Sequence, residues 1–121
     1  MQIVIPGSLT DLNTYIRGER ANRYLGASIK KENTDVVTQY IRLGRHKAVA
    51  NKVYIVFRWY CENEKKDPDN IAFSKKYILD GLVESGVLVN DGWRQIQGFQ
   101  DEFYVDKERP RIEVVLSEVV A

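Results

Sequence analysis

Apolar and polar positions alternate most cleanly between Val53 and Cys61. Val53, Ile55, Phe57, Trp59 and Cys61 share one face, and Tyr54, Val56, Arg58 and Tyr60 the other. Both faces are largely apolar, which predicts a central strand. From Pro68 to Ser85 the period changes to that of a helix. Ile71, Ser74, Ile78, Leu82 and Ser85 form one stripe, with Leu79 beside it. Asp67 suits the N-cap, Pro68 the first helical position, and Gly86 the C-terminal stop. A second helix is predicted from Lys31 to about Leu43, where Val36, Val37, Tyr40 and Ile41 keep helical spacing and Gly44 follows.

The remaining apolar runs are shorter. Gln2–Ile5 predicts a strand ended by Pro6 and Gly7, and Val87–Val89 a strand leading into Asn90, Asp91 and Gly92. Gln95–Val105 and Arg111–Val119 predict an antiparallel pair, turned at Lys107–Pro110. Ser8–Tyr24 is polar, carries Arg17, Arg20 and Arg23, and is expected to be a basic loop or arm. Long unstructured loops are usually functional or disordered. The order β-α-β-α-β-β predicts a single α+β domain over residues 1–121, with a small mixed sheet and two main helices.

Composition narrows the function classes. Of 121 residues, 44% are apolar and 29% charged, a globular balance. No window approaches the roughly 18 apolar residues of a membrane span, and the start of the chain lacks the pattern of a signal peptide. One Cys and one His exclude an internal disulfide framework and a Cys-ligated zinc site. A reducing, cytoplasmic compartment is expected. Residues 1–60 hold ten Lys/Arg against four Asp/Glu, whereas residues 61–121 hold eight against thirteen. That split suggests an anion on one side and a metal on the other, unless the halves interleave and pair.

The most informative segment is Lys65-Lys66-Asp67-Pro68-Asp69-Asn70. Asp67 and Asp69 start a helix, where negative charge is favoured in any case. At about 100° per residue, Asp69, Lys76 and Asp80 fall along one stripe to within about 20°, while Lys75 points well away. Lys76 and Asp80, four apart, also suit a simple helical ion pair. Asp91 follows the next short strand, and either end of the helix is within its reach. If it returns to the N-terminal end, Asp67, Asp69 and Asp91 converge. Three carboxylates without His or Cys suit a hard cation such as Mg²⁺ or Mn²⁺. A metal, a nearby lysine and a basic half are the equipment of phosphodiester hydrolysis.

At these residues the sequence resembles the RusA-like Holliday junction resolvases, or crossover junction endodeoxyribonucleases. The shared pattern is Lys66-Asp67-Pro68-Asp69-Asn70, then Lys76, Asp80-Gly81-Leu82, and Gly86-Val87-Leu88-Val89-Asn90-Asp91. Ile5-Pro6-Gly7, Leu12-Asn13 with Tyr15, and Arg20 with Asn22-Arg23 also fit the family opening. The resemblance implies a homodimeric, Mg²⁺-dependent nuclease that cuts four-way DNA junctions symmetrically. It implies no small-molecule cofactor, and a prophage is a natural setting. By resemblance the catalytic, metal-holding aspartates are Asp67, Asp69 and Asp91, the catalytic lysine is Lys76, and Lys66 is the basic residue before the first Asp. Asn70 and Asp80 are supporting positions. The spacing from Asp69 to Asp80 is about three residues longer than in the best-known members, so Phe73 stands where counting forward from Asp69 places the lysine. Asn90 stands where the family often has a second acid.

Asn13, Tyr15, Arg17, Arg20, Arg23 and Lys30 are the candidate DNA contacts, with Lys66 beside them; Lys31, Arg42, Arg45 and Lys47 are further basic positions. Trp93 suits either stacking on an unpaired base or packing in the core or a dimer. His46 reads as a surface residue and Cys61 as an inert one. Two other readings remain: a non-catalytic nucleic-acid-binding dimer, or a metal nuclease of another branched-DNA specificity. Glu64-Lys65-Lys66 offers an acidic-x-Lys triplet, but it precedes Pro68-Asp69 where a PD…(D/E)xK nuclease needs it to follow.

Overall fold

The computed structural model describes residues 1–120. Its elements are β1 (Gln2–Pro6), α1 (Leu12–Ala21), α2 (Arg23–Leu43), β2 (Val53–Cys61), α3 (Pro68–Ala72), α4 (Lys75–Glu84), β3 (Ile96–Val105) and β4 (Arg111–Glu118). The four strands form one mixed sheet in the order β1-β4-β2-β3. β4 runs antiparallel to both β1 and β2, and β3 runs parallel to β2. The α+β class and the central place of β2 are as the sequence predicts.

The core is built from one face of each inner strand. Ile3 and Ile5, Val53 to Trp59 at alternate positions, and Ile112, Val114 and Leu116 are buried against Val37 and Ile41 of α2 and Tyr77, Ile78 and Leu82 of α4. The opposite face of β2 is half-buried and carries one charged residue, Arg58. There Arg58 lies 3.2 Å from Glu102 and 3.8 Å from Glu113, so one arginine of the basic half is neutralised by the acidic half. Helix α4 approaches α2 closely at Gly81, where a β-carbon would come within 2.6 Å of Val37 Cγ1. Gly86, at φ +82°, ends the helical segment in the left-handed conformation a glycine adopts without strain.

Four expectations are corrected. The segment 8–24 is not a loop: Leu12–Ala21 is helical, and α2 begins at Arg23, eight residues before the predicted start. Leu12, Tyr15 and Ile16 are half-buried at helical spacing. Only Asn22 interrupts the two helices, with extended backbone and a side chain that accepts from the amide of Tyr24. The helix expected over Pro68–Ser85 is divided at Phe73–Ser74. Val87–Val89 forms no strand; the amide of Leu88 instead donates to the carbonyl of Leu82, and the carbonyl of Val87 accepts from Val49. Finally, β3 and β4 do not pair with each other. The alternately buried β4 takes an interior place, while β3, exposed at Phe99, Phe103, Tyr104 and Val105, takes the edge.

Tyr77 is fully buried, yet its hydroxyl has no hydrogen-bond partner among the described residues. Burial, reinforced by Tyr15 and Asp11 nearby, pushes its pKa up to about 12. In the unfolded chain a tyrosine ionises near pH 10, so above that pH the unfolded state binds fewer protons and stability falls. Tyr77→Phe removes an unpaired buried hydroxyl and should stabilise the protein by about 1 kcal/mol in urea unfolding at pH 8. The gain should grow between pH 10 and 12. An unchanged alkaline profile in the variant would show that Tyr77 is not the titrating group.

Candidate nucleic-acid interface and carboxylate site

Asp67 and Asp69 are placed by the end of β2 and the start of α3. Asp67 occupies the N-cap position, but its side chain caps no backbone amide. Asp69 Oδ1 accepts from the amide of Asn70 at 2.9 Å. Both aspartates are exposed, as is Lys66. The next residue, Asn70, is buried, and its Oδ1 accepts from the amide of Asn13 at 2.9 Å. This bond ties the first turn of α1 to the first turn of α3. Ser74 adds a second tie, donating from Oγ to the carbonyl of Thr10 at 3.1 Å.

A cleft results between α1 and the loop that leads into α3. Its walls include Asn13, Arg17, Arg20, Lys65, Lys66 and Asp67. Lys66 Nζ lies 3.5 Å from Asp11 Oδ1. Burial alone would push the Asp11 carboxyl up, but hydrogen bonds involving Thr14 and Asn70, with the charge of Lys66, outweigh it and leave the pKa below the ordinary value. Asp11 therefore contributes stability above about pH 4 that is lost as the pH falls through its lowered pKa. Arg17 and Arg20 make no ion pair among the described residues; Arg17 reaches only the hydroxyl of Thr14, at 3.4 Å.

The other expected contacts, Tyr15, Arg23 and Lys30, do not line this cleft. Tyr15 turns towards α3, with its ring centroid 5.4 Å from that of Phe73. Arg23 sits over the ring of Tyr24 at 5.2 Å, and Lys30 is exposed on α2. Trp93 is not a core residue, being 92% exposed. His46 is half-buried, and burial pushes the Cys61 thiol up, which keeps it in the unreactive form.

A second groove opens on the other side of Asp69. It is lined by Asp69, Phe73, Lys75, Lys76, Asp101 and Phe103, among others. Lys76 Nζ lies 3.0 Å from Asp80 Oδ1, the helical pair that the spacing allows. Lys75 was expected to point away from Asp69, and the division of the helix explains why it does not. The amides of Ser74, Lys76 and Tyr77 donate to carbonyls three residues back instead of four. Such a tightened stretch turns about 120° per residue, and over several residues it carries Lys75 towards Asp69.

Asp91 is elsewhere. Its turn closes where β2 begins: the carbonyl of Gly92 accepts from Gln95 and Ile96, and the carbonyl of Gln95 accepts from Val53. Asp69 instead lines a groove with Asp101 and Phe103, which face Phe57 and Trp59 in the second half of β2. Of the two helix ends open to Asp91, it takes the C-terminal one. Accordingly, no group of three or more His, Cys, Asp or Glu side chains is placed to hold one metal ion among the described residues. Asp67 and Asp69, unpaired and exposed, suit two of the ligands of a hard cation; Asp91 of the same copy does not join them. No helix among the described residues is long and apolar enough to cross a membrane.

No protein-family model matches the sequence, and no curated protein matches it.

Asn70 is the residue here whose role sequence reasoning understated. Its carbonyl oxygen is the buried link between the basic helix and the aspartates. Asn70→Ala should cost about 1–3 kcal/mol, because it leaves the amide of Asn13 unpaired in a half-buried place. Hydrogen exchange at Asn13 and its neighbours in α1 should accelerate in the variant. Unchanged protection there would show that α1 is held by other contacts.

Proposed function

We propose that the protein is a Mg²⁺-dependent endodeoxyribonuclease that acts as a homodimer on branched DNA and resolves four-way junctions by paired hydrolysis. The observation that carries this reading is the shared cleft: Arg17, Arg20, Lys65 and Lys66 border the same depression as Asp67. Basic side chains that hold a phosphate backbone thus stand beside a carboxylate suited to a hard cation, with Asp69 two residues further on. The RusA-like pattern of the same residues points to the same chemistry.

In this reading Arg17, Arg20 and Lys66 bind successive phosphates, and Asn13 is fixed against Asn70 so that α1 keeps its distance from the aspartates. Asp67 and Asp69 hold the cation. Mg²⁺, when bound, supplies a Lewis acid that lowers the pKa of water and offsets charge on the phosphate. Water adds to phosphorus, the bond to the 3′ oxygen breaks, and the products are a 3′-hydroxyl and a 5′-phosphate. Two such sites related by a two-fold axis match the symmetry of a four-way junction.

The test is cleavage of a synthetic four-way junction beside a linear duplex of matched sequence. Paired, ligatable nicks should appear in the junction with Mg²⁺. Asp69→Asn should lower the rate by more than about 100-fold, since even the outer partners of metal ligands are worth 10–100-fold, while junction binding persists. Binding without cleavage by either protein would leave a nucleic-acid-binding module. Equal cleavage of the linear duplex would sink the junction specificity and spare the nuclease.

Replacing Arg17 and Arg20 by Ala should weaken binding uniformly across sequences. It should also reduce the slope of log affinity against log salt by about 1 for each phosphate contact removed. A double variant with the wild-type slope would show that the DNA does not enter this cleft.

A further inference from the structure

The groove beside Asp69 holds a charged pair that the family pattern does not include. Lys75 Nζ lies 2.6 Å from Asp101 Oδ2, and both side chains are about three-quarters buried, at 23% and 24% exposure. The other oxygen of Asp101 accepts from Trp59 Nε1 at 2.9 Å, and Trp59 is itself a core residue. The ammonium also stands 5.5 Å from the ring centroid of Phe57 and 5.2 Å from that of Phe99. A chain of contacts therefore runs from the core through Trp59 and Asp101 to an ammonium group on the groove wall. Lys76 differs on each point: its side chain is 49% exposed and pairs only with Asp80, one turn along the same helix.

Partly desolvating a lysine is costly, and a well-packed apolar pair of similar volume is often at least as stable. The arrangement does secure the position of one positive charge. Of the three N–H groups on Lys75, one is used by Asp101, and the others have no acceptor among the described residues. Asp69 lines the same groove.

We propose that Lys75, and not Lys76, is the lysine that contacts a non-bridging oxygen of the DNA phosphate held beside Asp69, and that Asp101 and Trp59 are positioning residues that fix its ammonium group. This rests on the nuclease reading. Lys75 would stabilise the charge that grows on the phosphate as water adds, which is where a fixed cation contributes most.

The experiment is single-turnover cleavage of the four-way junction across pH 6–9, with junction binding in Ca²⁺ and urea unfolding measured on every variant. Lys75→Met should lower the rate by about 100-fold or more, as removal of one oxyanion donor does, with affinity within threefold. Lys75→Arg should recover part of the loss, and Lys76→Met should stay within threefold of wild type. Asp101→Asn removes the carboxylate charge that holds the ammonium group, so the rate should fall with junction affinity within threefold, and Asp101→Glu should recover part of the loss. The neutral double variant Lys75→Met/Asp101→Leu carries the test if Lys75→Met alone fails to fold. A structural role predicts that this double variant cleaves normally, whereas the proposal predicts that it folds and stays inactive. A double variant that cleaves like wild type overturns the proposal, as does collapse in Lys76→Met with little change in Lys75→Met. If wild type cleaves and only Asp69→Asn is dead, the Lys75 assignment alone falls. If wild type never cleaves, both readings fall together.

Discussion

The structure is organised around what β2 cannot leave uncovered. Its buried face carries Val53, Ile55, Phe57 and Trp59, and its other face Tyr54, Val56, Arg58 and Tyr60. A strand of that composition loses too much on exposure to sit at an edge, so it needs a partner on each side and a helical layer over one face. β4 and β3 supply the two partners, and α2 with α4 supply the layer. The positions of both groups around the aspartates follow from this. The N-terminal end of α3 is held near the end of β2, and Asp101 on β3 is brought beside Trp59 on β2.

The same demand shows why some elements were legible in the sequence and others were not. β2, β1 and the helix start at Asp67 follow from local signals: strict alternation, a Pro-Gly stop, and an Asp-Pro opening. The pairing of β3 and β4 does not. Two adjacent strand-like segments with a short turn favour a hairpin, but β2 lies between them in the sheet, so each pairs with β2 and not with the other. The alternation of Ile112, Val114 and Leu116 with Arg111, Glu113 and Val115 suits β4 to the inner position between β1 and β2, while β3 keeps the outer side of β2. That is a tertiary preference overriding a local one.

The site divides along the same line. Lys66, Asp67 and Asn70 with the arginines of α1 are readable as residues, but their convergence depends on two hydrogen bonds, Asn13 to Asn70 and Ser74 to Thr10, that no spacing rule announces. The first helix was missed because Ser8–Tyr24 is rich in polar and basic residues, and its apolar stripe of Leu12, Tyr15 and Ile16 is thin. The orientation of Lys75 failed for a different reason. A constant 100° per residue assumes an unbroken helix, whereas Ser74, anchored to Thr10, sits where the bonding shifts to three residues back. The separation of Asp91 from Asp69 was left open by the sequence, and their places along β2 decide it.

The sheet order also governs when the domain can form. β1, made first, pairs only with β4, whose residues Arg111–Glu118 come last, and β4 is also the strand that joins β1 to β2. Until β4 exists, the chain has a parallel β2–β3 unit under its helices and a detached β1, with the core face of Ile3 and Ile5 unmatched. Contacts of such long sequence separation form slowly and late. A growing chain on the ribosome thus cannot close its sheet before β4 has emerged. Helix α1, by contrast, is tied to α3 through Asn13 with Asn70 and through Thr10 with Ser74, contacts that do not involve β4. The hydrophobic core is thus completed by the same closing event that joins β1 to the sheet.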